Sequence, residues 1–135
     1  MAHRSIEEWY WQFGAEIQEF GDELLRSSFS TSTKPFWEPK VDLFESETHL
    51  IVRAELAGMK AENLRVLYSA ERHSITIRGR RTDEWGNTHG VACHQLEIYF
   101  GDFEREVRLP EMLVVSSGLQ ASYRNGLLLV SLPKL

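Results

Sequence analysis

The chain is predicted to be all-β, an antiparallel β-sandwich, and three features of the sequence predict it. Short extended runs recur at turn-punctuated intervals from about residue 37 onward, a spacing that suits a sandwich rather than βαβ units. Between residues 103 and 109 the apolar side chains fall at every second position (Phe103, Val107, Leu109), with Glu104, Glu106 and Arg108 on the other parity. That is the two-residue period of a half-buried strand. Asn125-Gly126 separates the runs 119–124 and 127–132, and both residues tolerate the positive φ of a type I′ turn, so a hairpin is expected there.

At the N-terminal end, Ile6, Tyr10, Phe13, Ile17, Phe20 and Leu24 recur at spacings of 4, 3, 4, 3 and 4, which predicts an amphipathic helical arm. Ser5 and Glu8 form a capping box, Glu7 and Glu8 sit where the helix dipole favours anions, and Arg26 sits where it favours cations. Gly14 and Gly21 each weaken such a helix by about 1 kcal/mol relative to alanine. A lone helix of this length is marginal in water, so the stripe is expected to be ordered by burial, on its own domain or on another chain. Trp9 and Trp11 lie beside or away from the stripe and add aromatic surface. Ser27, Ser28, Ser30, Thr31, Ser32 and Thr33 make a polar, turn-prone linker. The expected division is therefore an arm with its linker over residues 1–36 and a sandwich over residues 37–135.

Within the sandwich, Val41 and Leu43 open a short strand, and Leu50, Val52, Ala54 and Leu56 alternate with His49, Ile51, Arg53 and Glu55 in a longer one. Leu64, Val66 and Tyr68 mark a third, and Ile75 and Ile77 a fourth that ends at Gly79. Between Gly79 and Gly101 lies RRTDEWGNTHGVACHQLEIYF, too long to be an idle connection in a compact domain. At its end Leu96, Ile98 and Phe100 lead into the strand of Phe103. Arg105 stands at core parity in that strand, where an unpaired guanidinium is costly, so a bidentate carboxylate partner is expected. Pro110 has no N–H for a ladder and ends the strand. The last run is apolar on both parities (Leu127, Leu129; Leu128, Val130, Leu132) and is expected to be covered on both faces, with a second chain as one source of cover.

The formal charge is −5, from 15 basic and 20 acidic residues, which argues against nucleic acid as the main partner. Cys93 is the only cysteine, so no intrachain disulfide is possible and a reducing compartment is expected. The start, MAHRSIEEWYW, has no uninterrupted apolar region, and no stretch approaches a spanning helix. A cytoplasmic protein without a membrane partner is the expectation. No phosphate loop, dinucleotide fingerprint, His-Glu-x-x-His or Gly-x-Ser-x-Gly occurs. His89, Cys93 and His94 are three potential metal ligands without a fourth, and Arg78, Arg80 and Arg81 read as a solvated or ion-paired cluster. No enzyme, metal or cofactor is expected.

Gly101-x-Phe103-x-Arg105-x-x-x-Leu109-Pro110, then Ala121-x-x-x-Asn125-Gly126-Leu127-Leu128, then Leu132-Pro133-Lys134 follow in this order within about 35 residues. On these motifs the chain resembles the alpha-crystallin domain of small heat shock proteins, over roughly residues 38–134. The resemblance implies an immunoglobulin-like form of the sandwich. It also implies a stress-response, ATP-independent holdase chaperone that binds partly unfolded client proteins and self-associates into dimers or modest oligomers. It gives the arm residues Ile6, Trp9, Tyr10, Trp11, Phe13, Ile17, Phe20 and Leu24 a role in client binding and in assembly beyond the dimer.

In bacterial and plant relatives the loop matching residues 80–100 exchanges a short strand between two subunits. That implies Trp85, flanked by Asp83, Glu84 and Asn87, as the exchanged segment and interface anchor. Asp83 or Glu84 of the partner subunit is then the candidate counter-ion for Arg105, with Glu97 of the same chain as the alternative. The chain departs from the family at Ala57-Gly58, where relatives carry Pro-Gly, and at Leu135, where it stops without the usual Ile-x-Ile or Ile-x-Val tail. No large tail-latched cage is therefore expected. The alternative function is an adapter or assembly subunit that pairs with another small heat shock protein and takes that partner's tail in the vacant groove.

Overall fold

The two-residue period of the sequence becomes two antiparallel sheets laid face to face. The computed structural model describes the backbone of residues 9–12 and, with side chains, residues 36–85 and 90–135. The strands are β1 (Trp9–Gln12), β2 (Val41–Glu45), β3 (His49–Glu55), β4 (Leu64–Ser69), β5 (Ser74–Arg81), β6 (Gly101–Arg108), β7 (Gln120–Arg124) and β8 (Leu127–Pro133). One sheet has the order β1-β7-β8-β3-β2 and the other β4-β5-β6. The helical turns among the described residues are two short 3₁₀ turns, at residues 61–63 and 116–118.

The core is built from alternate residues of both sheets. Leu50, Val52 and Ala54 of β3 sit in register with Leu132, Val130 and Leu128 of β8, and all six are fully buried. Ile75, Ile77 and Phe103 close the core from the other sheet. Tyr123 links the layers. Its hydroxyl donates to the Leu56 carbonyl at 2.6 Å and accepts the Met59 N–H at 3.3 Å, so its one polar atom is satisfied inside the core.

Two glycines are fixed by geometry. A Cβ on Gly79 would lie 2.2 Å from the Asn63 carbonyl oxygen, which excludes a side chain where β5 passes the 61–63 turn. Asn125 and Gly126 have φ of 53° and 77°, the pair of positive values that a type I′ hairpin needs. The Leu56 N–H donates to the Gly126 carbonyl at 2.9 Å and ties that hairpin to the end of β3.

One expectation needs correction. Residues 9–12, expected within the helical arm, form β1, which pairs antiparallel with β7 in the register Trp9↔Tyr123, Tyr10↔Ser122, Trp11↔Ala121 and Gln12↔Gln120. Trp and Tyr are strong strand formers, and an open β7 edge offers a row of unpaired backbone groups that a marginal helix cannot match. The rest of the stripe, Ile6, Phe13, Ile17, Phe20 and Leu24, lies outside the described residues. On the outer parity of β8, Leu127 and Leu129 are partly covered within the single chain, 36% and 39% exposed, and stay open to cover by a second chain.

Candidate assembly surface

Unpaired apolar structure is the feature that sets this surface apart. Among the described residues β2 is the last strand of its sheet, with no strand on its outer edge, and Leu43 and Phe44 on it are exposed. After β5, residues 82–85 and 90–100 enter no strand. Trp85, Leu96, Ile98 and Tyr99 there are 74%, 78%, 70% and 67% exposed. Asp83 Oδ1 accepts the Trp85 N–H at 3.0 Å, a tight turn of the kind Asp favours. Trp85, Ile98 and Phe100 also line an open cleft of about 400 Å³ against Ala57, Gly58 and Arg81. Large apolar side chains in one continuous stretch of chain mark an interaction surface rather than scattered surface residues.

The motif residues hold the scaffold beneath this surface. Gly101 has φ of +91° at the entrance to β6. Phe103, Leu109 and Ala121 are buried, and Leu127 follows the hairpin turn. The Pro110 carbonyl lies 2.8 Å from His73 Nε2, and the Leu109 N–H donates to the His73 carbonyl at 2.9 Å, so the end of β6 is tied to the β4–β5 turn.

Arg105 pairs in register with Ile77, at core parity, and its Nη1 donates to the Pro39 carbonyl at 3.2 Å. Glu97, the same-chain candidate for its counter-ion, instead accepts from Gln95 Nε2. Neither Asp83 nor Glu84 of the same chain reaches it. Among the described residues Arg105 forms no ion pair.

Carboxylates on the outer face of β6 divide into two kinds. Glu106 receives Arg72 Nε at 2.6 Å and Nη2 at 2.8 Å, and Ser74 Oγ at 2.8 Å. The Arg72 hydrogen bond holds its pKa below the ordinary carboxylate range despite partial burial. Glu104 is 8% exposed and its Oε1 has no hydrogen bond; Arg78 Nε is 3.5 Å away. Burial raises the Glu104 pKa, partly offset by Arg78 and reinforced by Glu106 and Glu38.

The signs of these two shifts differ. A raised folded-state pKa means that the folded chain takes up the Glu104 proton first, so this group adds stability as the pH falls from neutral towards the unfolded carboxylate pKa. Glu106 contributes stability at neutral pH that is lost as the pH falls through its depressed pKa. In Glu104→Gln the gain on mild acidification disappears while the loss at lower pH remains. Urea midpoints of both proteins at pH 7.5, 5.5 and 3.5 check this; equal midpoint changes from pH 7.5 to 5.5 would contradict it.

Sequence reasoning missed the setting of Arg81. Its guanidinium lies 4.4 Å from the Trp37 ring centroid and 5.2 Å from that of Phe100. The only signal available was the placing of Trp37 at the domain start and of Arg81 at the end of an apolar strand. Cys93 is exposed, His89 lies outside the described residues, and no cluster of three or more metal-ligating side chains occurs among the described residues. No helix of the described residues is long and apolar enough to cross a membrane.

Comparison with known proteins agrees with this architecture. The sequence model of the Hsp20/alpha crystallin family matches residues 42–135. An 18.2 kDa class I heat shock protein of Medicago sativa is 32% identical over 115 residues, 85% of this chain and 71% of that protein. Among solved structures, heat shock protein 16.0 from Schizosaccharomyces pombe superposes with a TM-score of 0.66 at 31% identity, covering 73% of this chain and 88% of that one. The hspA of Xanthomonas axonopodis superposes with a TM-score of 0.64 at 29% identity, covering 74% and 96%. The chain belongs to the Hsp20/alpha-crystallin family of small heat shock proteins, which are ATP-independent chaperones and not enzymes.

Proposed function

We propose that the protein is a cytoplasmic holdase that captures partly unfolded proteins and keeps them from aggregating. One observation carries the reading: a single chain presents Trp85, Leu96, Ile98 and Tyr99 on an unpaired segment. Such a surface is costly to leave in water and suits both a second subunit and an unfolded client.

In this reading the domain, residues 37–135, builds a dimer, and the arm and linker, residues 1–36, add client contacts and further assembly. Residues 82–100 reach the β2 edge of the partner subunit, where strand addition supplies backbone hydrogen bonds and side-chain pockets together. Trp85 serves as the anchor, and Asp83 or Glu84 of the partner subunit gives Arg105 the carboxylate it lacks among the described residues of its own chain. Capture is driven by binding equilibria alone. Clients that expose apolar surface on heating are held in proportion to the surface available.

Light scattering of a heat-denatured client protein, without nucleotide, tests the proposal. Scattering should fall progressively as the chaperone approaches an equal mass of client. No suppression at any ratio would overturn it.

A further inference from the structure

Arg81 is held by main-chain carbonyls and aromatic rings. It is the last residue of β5, half-buried, and among the described residues no carboxylate lies within salt-bridge distance of it, the charge of Glu55 acting on it only from further off. Its donors go to main-chain carbonyls: Nε and Nη2 both to Tyr99, the former at 2.9 Å, and Nη1 to Ala57 at 3.3 Å. The guanidinium also lies against the rings of Trp37 and Phe100. Trp37 in turn stacks on Tyr99 at 6.0 Å and donates its Nε1–H to the Gly101 carbonyl at 3.3 Å.

Three segments distant in sequence thus meet at one side chain: the Ala57-Gly58 turn, the start of the 82–100 connection and its end. The contrast with Arg80 is informative. That neighbour points to solvent and makes an exposed pair with Asp102 at 3.2 Å, an arrangement that contributes little. A fork of five donors and a flat face that stacks on aromatics are properties of arginine that lysine does not share. A partly desolvated guanidinium whose hydrogen bonds all go to neutral carbonyls, with rings on its faces, is an expensive way to stabilise a surface loop, and points to a positioning task.

We infer that Arg81 is a latch that clamps the base of the 82–100 connection, fixing where this segment leaves and re-enters the sandwich and so where it is delivered to a second subunit. The latch is a property of the single chain; only its consequence for the dimer rests on the reading above. With the latch closed, Tyr99 is held against Trp37 and Phe100 against the guanidinium, and the apolar residues beyond them project from a fixed point. With it open, the same residues sample many directions, and an interface made from them forms less often and breaks sooner.

The Tyr99 carbonyl that Arg81 holds is also the one a chymotrypsin-type protease must attack to cut after Tyr99, so nicking there reports the latch directly. The proteins to compare are the wild type, R81A, R81K and R80A. Cleavage after Tyr99 should rise at least about tenfold in R81A, since charge-assisted hydrogen bonds are lost and nicking follows the open population. R81K should fall between, and R80A should match the wild type. Cleavage after Phe103 and Tyr123, inside the sandwich, should stay at the wild-type rate. An unchanged rate after Tyr99 would overturn the latch, and so would a parallel rise at all three sites, which would make Arg81 a general stability residue. If R81A does not fold, R81K decides by the same measure.

Subunit exchange is followed separately by native mass spectrometry of mixed unlabelled and ¹⁵N-labelled protein, and should quicken in R81A. Faster nicking in R81A together with a wild type that is monomeric by native mass would leave the latch standing and remove the dimer reading.

Discussion

Phe103→Ala is expected to destabilise the sandwich by about 3–5 kcal/mol, the range for deleting a fully buried aromatic side chain. Phe103 is 1% exposed and stands opposite Gly79 in the β5–β6 ladder. Its ring fills the space that the glycine leaves open: a Cβ on Gly79 would come within 3.0 Å of the ring. Trp37 packs on the other side at 4.9 Å. The cavity left by alanine cannot collapse easily, because Gly79 has no side chain to move into it and the backbone of residue 63 holds β5 in place. Most of the transfer and cavity cost is therefore expected to appear. Urea unfolding followed by tryptophan fluorescence measures it, and a loss below about 1 kcal/mol would show that this ring is not central to the core.

The fold was legible in the sequence wherever one parity decided burial. The alternation of Leu50, Val52 and Ala54, the Asn125-Gly126 turn and the β6 strand all follow from side-chain period and turn chemistry, with no long-range information needed. The error arose where the answer depended on a distant neighbour. Residues 9–12 carry a helical stripe, yet form a strand because the β7 edge, over a hundred residues away in sequence, offers backbone partners. β8 is apolar on both parities, and within the single chain Leu127 and Leu129 stay 36% and 39% exposed; what completes their cover is not legible from any local pattern.

The site was partly legible for the same reason. The length and aromatic content of residues 80–100 marked them as more than a connection, and the structure leaves Trp85, Leu96 and Ile98 in solvent. The need of Arg105 for a partner was visible as a charge at core parity. Its acceptor, the Pro39 carbonyl, was not, because main-chain acceptors leave no trace in a sequence. Arg81 was hidden in the same way: both of its acceptors are carbonyls, and its ring contacts come from Trp37 and Phe100, which no spacing rule connects.

The second large effect is expected from removing apolar side chains that contribute nothing to the fold of the single chain. In Leu96→Ser/Ile98→Ser, both positions are more than two-thirds exposed, so the stability of the isolated sandwich should change by less than about 0.5 kcal/mol. In a symmetric dimer each change acts twice. Four side chains that each contribute roughly 1.5 kcal/mol when buried make the assembly weaker by about 10⁴-fold. The same variant should lose part of its client capture if that surface is shared. Native mass spectrometry of the wild type and this double variant, at one micromolar-range concentration, is the most direct measurement of the central claim that an unpaired apolar segment is the assembly surface. The prediction is a dimer or a multiple of it for the wild type and a folded monomer for the variant. A monomeric wild type, or a variant with the wild-type assembly state, would contradict it.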